Sequence, residues 1–150
     1  SEGTLPKNTD PLVLEEPPHW IYLPWRHKLL RILGPNGYKL LRSDRNRYKM
    51  TLSEMKLLRS RSVGVIGLSV GHTCAVALAQ GALCGHLNLA DFDILEVTNL
   101  NRIPVSIVEL GSSKTAATAR RIAEIDPYLT MSTYDEGVNE ENIGEFFRNM

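Results

Sequence analysis

Two carboxylates, an amide and a guanidinium follow one short apolar run of the chain. Asp91 and Asp93 come directly after the hydrophobic stretch 86–90, and Asn99 and Arg102 follow shortly afterwards. A carboxylate at the end of a strand suits the hydroxyls of a ribose, and a guanidinium suits phosphate oxygens. These residue types in this order point to a nucleotide site.

A glycine-bearing turn lies upstream of the acids. The β-branched run 62–67 ends in Gly67-Leu68-Ser69-Val70-Gly71, and a helical pattern begins at Gly71. A strand that ends in such a turn, a helix, and a second strand that ends in an acid is the layout of nucleotide sites in open α/β sheets. We therefore expect the turn around Gly67, Ser69 and Gly71, together with the start of the helix, to take phosphates.

The elements that must position these residues alternate along the second part of the chain. Right-handed crossovers make the three strands one parallel half-sheet of a Rossmann-like α/β fold, with strand order 3-2-1. An unbroken apolar first strand is typical of a parallel sheet that is covered on both faces. The pattern predicts strands at 62–67, 86–91 and 129–134, and helices at 71–80, from Ser112 or Ser113 to Ile125, and at 139–149.

Three segments are predicted: an extended arm at 1–18, an N-terminal helical segment at 19–61, and a nucleotide-binding domain at 62–150. In the helical segment, Pro24 favours a helix over Trp25–Leu33 that 34–37 would stop. The capping-box pattern that begins at Thr51 favours a second helix from Leu52 to about Arg59.

The predicted strand order raises one physical problem. It leaves the first strand with an uncovered apolar edge, which proteins avoid. We therefore expect the chain to be a fragment of a longer protein, or this edge to be covered by another chain.

Charge and cysteine content narrow the possible classes of protein and of partner. Lys and Arg number 17 and Asp and Glu number 17, so the formal net charge of the 150 residues is zero, and neither a nucleic-acid partner nor a membrane partner is expected. No apolar run approaches the roughly 18 residues of a membrane span, and no secretory signal is expected. Cys74 and Cys84 are expected to be buried, reduced thiols of a cytoplasmic protein, and no Cys or His cluster suggests a metal site.

The motifs resemble those of the ThiF/MoeB family, the ubiquitin-activating-enzyme-like adenylyltransferases. The resemblance runs from residue 63 to about 135, and within the family the chain is similar to the N-terminal part of actinobacterial ThiF-like proteins. It rests on Gly67, Asp91-Phe92-Asp93, Thr98-Asn99-Leu100-Asn101-Arg102, Gly111-Ser112-Ser113-Lys114 and Asp126-Pro127. Ser69, Val70 and His72 stand where the family has glycines.

The resemblance implies an ATP site with Mg²⁺ as the accompanying ion. It implies that Asp91 holds the ribose, that Asn99, Arg102 and Lys114 hold and neutralise the triphosphate, and that Asp93 lies near the metal or the attacking group. The reaction implied is attack of a carboxylate on the α-phosphate, which yields an acyl-adenylate. In the family, the carboxylate is usually the C-terminus of a ubiquitin-like or sulfur-carrier protein.

The resemblance also implies a homodimer in which an arginine reaches the partner's site. Arg47, in Asn46-Arg47-Tyr48, is the best match to that arginine. Arg102, Lys114 and Arg47 are thus the implied catalytic residues, and Gly67, Ser69, Gly71, Asp91, Asp93 and Asn99 the implied cofactor-binding residues.

Each side chain also has a purely structural interpretation. Asp91 could cap a turn, Asn99 could form an Asx turn, and Arg102 could pair with Asp91 or Asp93. Lys114 could be a solvated lysine, although a cation at a helix start opposes the helix dipole. Two other functions stay open: an NAD- or FAD-binding Rossmann module, and a non-catalytic dimerisation or scaffold domain.

Overall fold

A computed structural model describes residues 11–148 and residue 150 of the chain. These residues form two compact units, one that ends at Arg47 and one that runs from Tyr48 to Met150. The part of the chain that is described contains no helix long and apolar enough to cross a membrane.

The first unit is built around an antiparallel hairpin, so the helix predicted over Trp25–Leu33 is wrong. His27 adopts a left-handed conformation with φ of 49° and donates its N–H to the carbonyl of Pro24, which turns the chain back on itself. The following residues pair with the preceding strand, for example Leu29 with Tyr22. The unit contains α1 (Pro11–Leu14), β1 (His19–Leu23), a 3-10 helix (Pro24–Arg26), β2 (Lys28–Ile32), α2 (Pro35–Arg42) and, across its end, a 3-10 helix (Asp44–Tyr48).

Residues 34–37 begin a helix and do not end one. Pro35 is the first residue of α2, where its missing N–H removes no hydrogen bond. The Glu16 carboxylate accepts the N–H groups of Asn36 (3.1 Å) and Gly37 (2.9 Å), so an acid distant in sequence caps this helix start. The predicted arm at 1–18 contains the short helix α1, and its residues 1–10 lie outside the described part of the chain.

The second unit alternates helices and parallel strands, as predicted. Thr51 and Glu54 form the predicted capping box. The elements are α3 (Leu52–Arg59), β3 (Ser62–Ile66), α4 (Gly71–Gly81), β4 (His86–Ala90), 3-10 helices (Val97–Asn99 and Ile107–Glu109), α5 (Lys114–Ile125), β5 (Thr130–Tyr134) and α6 (Ile143–Phe146).

The three strands lie in the order β3-β4-β5, which confirms the predicted parallel half-sheet. The register pairs Ile66 with Ala90 and Ala90 with Tyr134, so all three carboxyl ends meet at one edge. The core lies between the sheet and helices α4 and α5. Its buried residues are Leu68, Ala75, Ala79, Cys84, Leu87, Leu89 and Ile122.

Two local predictions are wrong in this unit. The helix predicted over 139–149 is confined to α6, because the Asn139 side chain accepts the N–H groups of Glu141 and Asn142 and forms a turn instead. Cys74 is exposed, since it lies on the solvent side of α4, whereas Cys84 is buried as predicted, and neither cysteine forms a disulfide.

Candidate functional site

The site begins where the carboxyl ends of β3 and β4 lie side by side. The N–H of Gly67 donates to the carbonyl of Ala90 at 2.8 Å, so the glycine turn and the acidic segment start from paired positions. The turn that follows β3 and the loop that follows β4 therefore face each other at one edge of the sheet.

Two glycines of the turn are required for different reasons. Gly67 has φ of +82°, a conformation that L side chains rarely adopt, and a Cβ there would meet no atom within 4 Å. Gly71 begins α4, where a Cβ would lie 2.6 Å from Cγ1 of Val65. Gly67 thus shapes the turn beside open space, and Gly71 allows the helix to approach the sheet closely.

Asp91 joins the two loops. Its side chain is 7% exposed, Oδ2 accepts the N–H of Leu68 at 2.5 Å, and Oδ1 accepts the N–H of Asp93 at 2.8 Å. The capping interpretation of Asp91 is therefore confirmed. Each carboxylate oxygen still has acceptor capacity beyond the one bond recorded for it.

Lys114 is the cation of the site and is 4% exposed. Ser113 caps α5 by accepting the N–H of Ala116, which makes Lys114 the first residue of the helix. Its ammonium lies 2.7 Å from Oδ2 of Asp93, 3.3 Å from Oγ of Ser69 and 3.9 Å from Oδ1 of Asp91. The structure thus brings together four predicted residues, Ser69, Asp91, Asp93 and Lys114, which we call the Lys114 cluster.

The Lys114 cluster explains why a cation is tolerated at a helix start. The dipole of α5 disfavours positive charge there, and two carboxylates offset that penalty. The interpretation of Lys114 as a solvated lysine is wrong, because its side chain is buried and paired.

Asn99 and Arg102 lie in the loop after β4 and make local contacts. Asn99 is buried, and its Oδ1 accepts the N–H of Glu96, three residues back, at 3.0 Å. This is a capping contact of the 3-10 helix Val97–Asn99 and not the bond two residues onward that the Asx-turn interpretation requires. Arg102 is exposed and donates to the carbonyl of Thr98 and to Oδ1 of Asn101. Within the described residues, the ion pairs of Asp91 and Asp93 are with Lys114, so the predicted pairing of Arg102 with these acids is not found.

Arg47 belongs to the 3-10 helix Asp44–Tyr48 at the end of the first unit. Its side chain lies outside what the structure describes, so its role stays a prediction.

His72, the second residue of α4, is buried between α4 and α5. Its Nδ1 lies 2.9 Å from Oγ1 of Thr118, and that hydroxyl donates to the carbonyl of Lys114 at 2.6 Å. The hydroxyl proton is therefore used, so His72 donates from Nδ1. Burial, and then the charge of Arg121, lower the pKa of His72 below its ordinary value, so the imidazole is neutral at neutral pH.

Asp135 is a further acid at this edge that the sequence interpretation did not single out. It directly follows β5 and accepts a hydrogen bond from the fully buried hydroxyl of Thr115. The signal in the sequence was an acid at the end of a predicted strand, the same signal that identified Asp91.

Few side chains of the described residues are suited to hold a metal ion. The described residues contain no group of three or more His, Cys, Asp or Glu side chains that could hold one. Asp91 and Asp93 nevertheless match the donors that Mg²⁺ uses when substrate phosphates and water complete its shell.

A polar cavity of about 330 Å³ lies on the sheet face opposite the core, away from the Lys114 cluster. Its lining consists of Ser62, His86, Asn88, Ser132, Tyr134, Glu145 and Arg148.

Comparison with known proteins places these features in a family. The model of the ThiF family matches residues 43–150. A Mycobacterium tuberculosis (strain CDC 1551 / Oshkosh) protein, uncharacterized protein MT1398, is 47% identical over 137 residues, which are 91% of this chain and 19% of that protein. An adenylyltransferase and sulfurtransferase of Eremothecium gossypii is 30% identical over 97 residues, 64% of this chain and 22% of that protein.

The fold is also similar to a solved enzyme structure. The E. coli tRNA N6-threonylcarbamoyladenosine dehydratase in complex with ATP superimposes with a TM-score of 0.68 at 26% identity, over 76% of this chain and 47% of that one. The chain thus spans less than half the length of each of these three proteins.

Proposed function

Because the chain belongs to the ThiF family, we propose that it supplies the nucleotide-binding part of an ATP-dependent adenylyltransferase. The proposed reaction activates a carboxylate. A carboxylate oxygen attacks the α-phosphorus of ATP, the bond from that phosphorus to the bridging oxygen breaks, and pyrophosphate leaves with the electron pair. The product is an acyl-adenylate.

The observation that carries the proposal is the position of Lys114. A buried lysine lies beside a glycine turn that opens a helix and beside an acid that ends the neighbouring strand. No side chain caps α4 at its start, where Val70 is the N-cap residue, so its first N–H groups are suited to phosphate oxygens. A dinucleotide has no triphosphate tail and less need of this lysine.

Each residue then has a proposed role. The ribose hydroxyls bind the remaining acceptor positions of Asp91, and the phosphates lie along the turn from Gly67 to Gly71. Lys114 offsets the charge that moves onto the pyrophosphate as the bond breaks. The exposed guanidinium of Arg102 turns from its local carbonyl toward the phosphates, and Asn99 holds the loop that carries it.

The metal and the partner are part of the proposal. Mg²⁺, when bound, would neutralise phosphate charge, and Asp93, whose side chain is more exposed than that of Asp91, would be the residue to hold it. The ATP complex of the similar E. coli enzyme supports the choice of nucleotide. The similarity to a sulfurtransferase supports a sulfur-carrier or ubiquitin-like protein as the source of the carboxylate. A homodimer in which Arg47 reaches the partner's site completes the proposal.

Calorimetry on the whole chain with ATP and Mg²⁺, with AMP, and with NAD tests the nucleotide. We expect ATP to bind and Lys114→Met to weaken binding on the order of tenfold or more, because a charge-assisted contact to phosphate is lost. Glu136→Gln, an exposed acid after β5, is the matched control and should bind as the native chain does. Tighter binding of NAD than of ATP, or unchanged ATP binding by Lys114→Met, would contradict the proposal.

A further inference from the structure

The charges of the Lys114 cluster do not suit a polyphosphate as they stand. Asp91 and Asp93 contribute two negative charges against the one positive charge of Lys114, so the cluster is negative overall. An incoming phosphate would meet this excess negative charge and a lysine that is already paired. A phosphate that binds the lysine in place of a carboxylate therefore requires one of the two acids to give the ammonium up.

Asp91 is not free to do so. Its side chain is 7% exposed, and its two oxygens hold the N–H groups of Leu68 and Asp93, so moving it would leave buried donors without partners. Its distance to the lysine, 3.9 Å, is also beyond that of a hydrogen bond.

Asp93 is held differently. Its side chain is 52% exposed, and its carboxylate accepts a hydrogen bond from the ammonium of Lys114 at 2.7 Å. Its main chain stays in place, because its carbonyl accepts the N–H of Lys114 at 3.0 Å and the next residue, Ile94, bridges to Ser113. The carboxylate can thus rotate into solvent while the loop and α5 remain joined.

From this asymmetry we propose that Asp93 occupies the phosphate position on Lys114 and is displaced when a polyphosphate binds. Asp93 is then a positioning residue. It holds the ammonium at the mouth of the glycine turn, with the Ser69 hydroxyl at 3.3 Å as a second contact. It also lowers the affinity for a polyphosphate, because the ligand must compete with the Asp93 carboxylate for Lys114. The inference rests on the proposed function, since it concerns the same site.

The test is binding of ATP and of inorganic tripolyphosphate in EDTA, so that no metal contributes. Asp93→Asn keeps the shape of the side chain and removes its charge. We expect it to bind both ligands on the order of tenfold more tightly than the native chain. Asp93→Glu retains the charge and should bind as weakly as the native chain, and Glu136→Gln should also match it, which separates the local effect from a general loss of negative charge.

A purely structural role for Asp93 would give a different result. Loss of structural support lowers affinity, so unchanged or weaker metal-free binding by Asp93→Asn overturns the inference. Equal gains in Asp93→Asn and Glu136→Gln overturn it as well, because the effect would then be one of net charge.

The two proposals fail separately. If the native chain binds ATP with Mg²⁺ in a Lys114-dependent way but Asp93→Asn shows no gain in EDTA, only the inference is lost. If neither the native chain nor any variant binds ATP under either condition, the proposed function is lost, and the inference with it.

Discussion

Asp91→Asn separates the structural role of this acid from a role in ligand binding alone. The carboxylate accepts one backbone N–H on each oxygen, from Leu68 and from Asp93, in a buried position. Asparagine keeps one acceptor and presents an amide N–H₂ to the other donor. One charge-assisted hydrogen bond is lost and one buried N–H is left without a partner.

The expected cost follows from that count. A hydrogen bond to a charged group contributes roughly 1.5–3 kcal/mol, so we expect Asp91→Asn to lower the free energy of unfolding by about 2 kcal/mol. That is roughly a thirtyfold change in the equilibrium constant. The cost arises without nucleotide, since both bonds are within the chain.

Amide hydrogen exchange of the β3 and β4 amides measures this cost within the second unit. The slowest amides should exchange roughly thirtyfold faster in Asp91→Asn than in the native chain. Asp93→Asn, whose half-exposed side chain keeps an oxygen that can accept from Lys114, should change the free energy of exchange by less than Asp91→Asn does. Equal exchange in Asp91→Asn and the native chain would refute the argument and leave ligand binding as the reason for the acid.

Three further expectations concern the turn and its surroundings. Gly71→Ala should lower the free energy of unfolding by about 1–3 kcal/mol, since its Cβ overlaps Val65. Denaturant titration measures this change, and Gly144→Ala, where a Cβ meets nothing within 4 Å, is the control. Equal midpoints for Gly71→Ala and Gly144→Ala would contradict the packing role of Gly71. Gly67→Ala should cost about 1–2 kcal/mol through its positive φ alone, and a midpoint within error of the native chain would show that the turn relaxes. Burial lowers the pKa of His72 below the value of 6.5 that it has when unfolded. The free energy of unfolding should therefore be full above pH 6.5 and fall as the pH drops through the folded pKa. The fall should be smaller in His72→Gln, and identical pH profiles of the two proteins would contradict this role of His72.

The parallel half of the fold could be predicted because local and long-range preferences agree there. The apolar run 63–66, which is rich in β-branched residues, favours a strand, and the capping residues Thr51 and Ser113 mark helix starts that tertiary packing leaves unchanged. Right-handed crossovers then leave one arrangement of the three strands.

The first unit could not be predicted in the same way. Pro24 fits the first turn of a helix or of a 3-10 turn, and the sequence does not distinguish the two. What decides is the left-handed conformation of His27, which a non-glycine residue rarely adopts and which depends on the pairing of β1 with β2. Such a conformation is selected by contacts between strands and leaves no local signal.

The site shows the same division. Asp91 and Lys114 were found because each stands at the end of a regular element, where its direction is determined by the fold. Arg102 lies in a loop, and its exposed guanidinium donates a hydrogen bond to the nearby carbonyl of Thr98. The sequence identifies which charges reach this edge, but which of them meet depends on loop geometry.

The substituted glycine turn bears directly on whether this chain is a scaffold or a nucleotide-binding protein. The resemblance implies glycines at three positions that Ser69, Val70 and His72 occupy, yet these residues do not act alike. His72 is buried against Thr118, away from the open side of the turn, and Val70 is 73% exposed. Only Ser69 contacts the Lys114 ammonium, and it does so through a hydroxyl that can donate to a phosphate oxygen.

A scaffold that had lost its ligand would have no reason to keep an uncapped α4, open space beside Gly67 and a buried lysine between two acids. Burying that lysine has a free-energy cost that a polar or apolar residue would avoid. The retained cost is the physical argument for a nucleotide. A clear loss of stability on replacement of Lys114 by methionine would remove that argument, because the lysine would then be explained by its contribution to the fold.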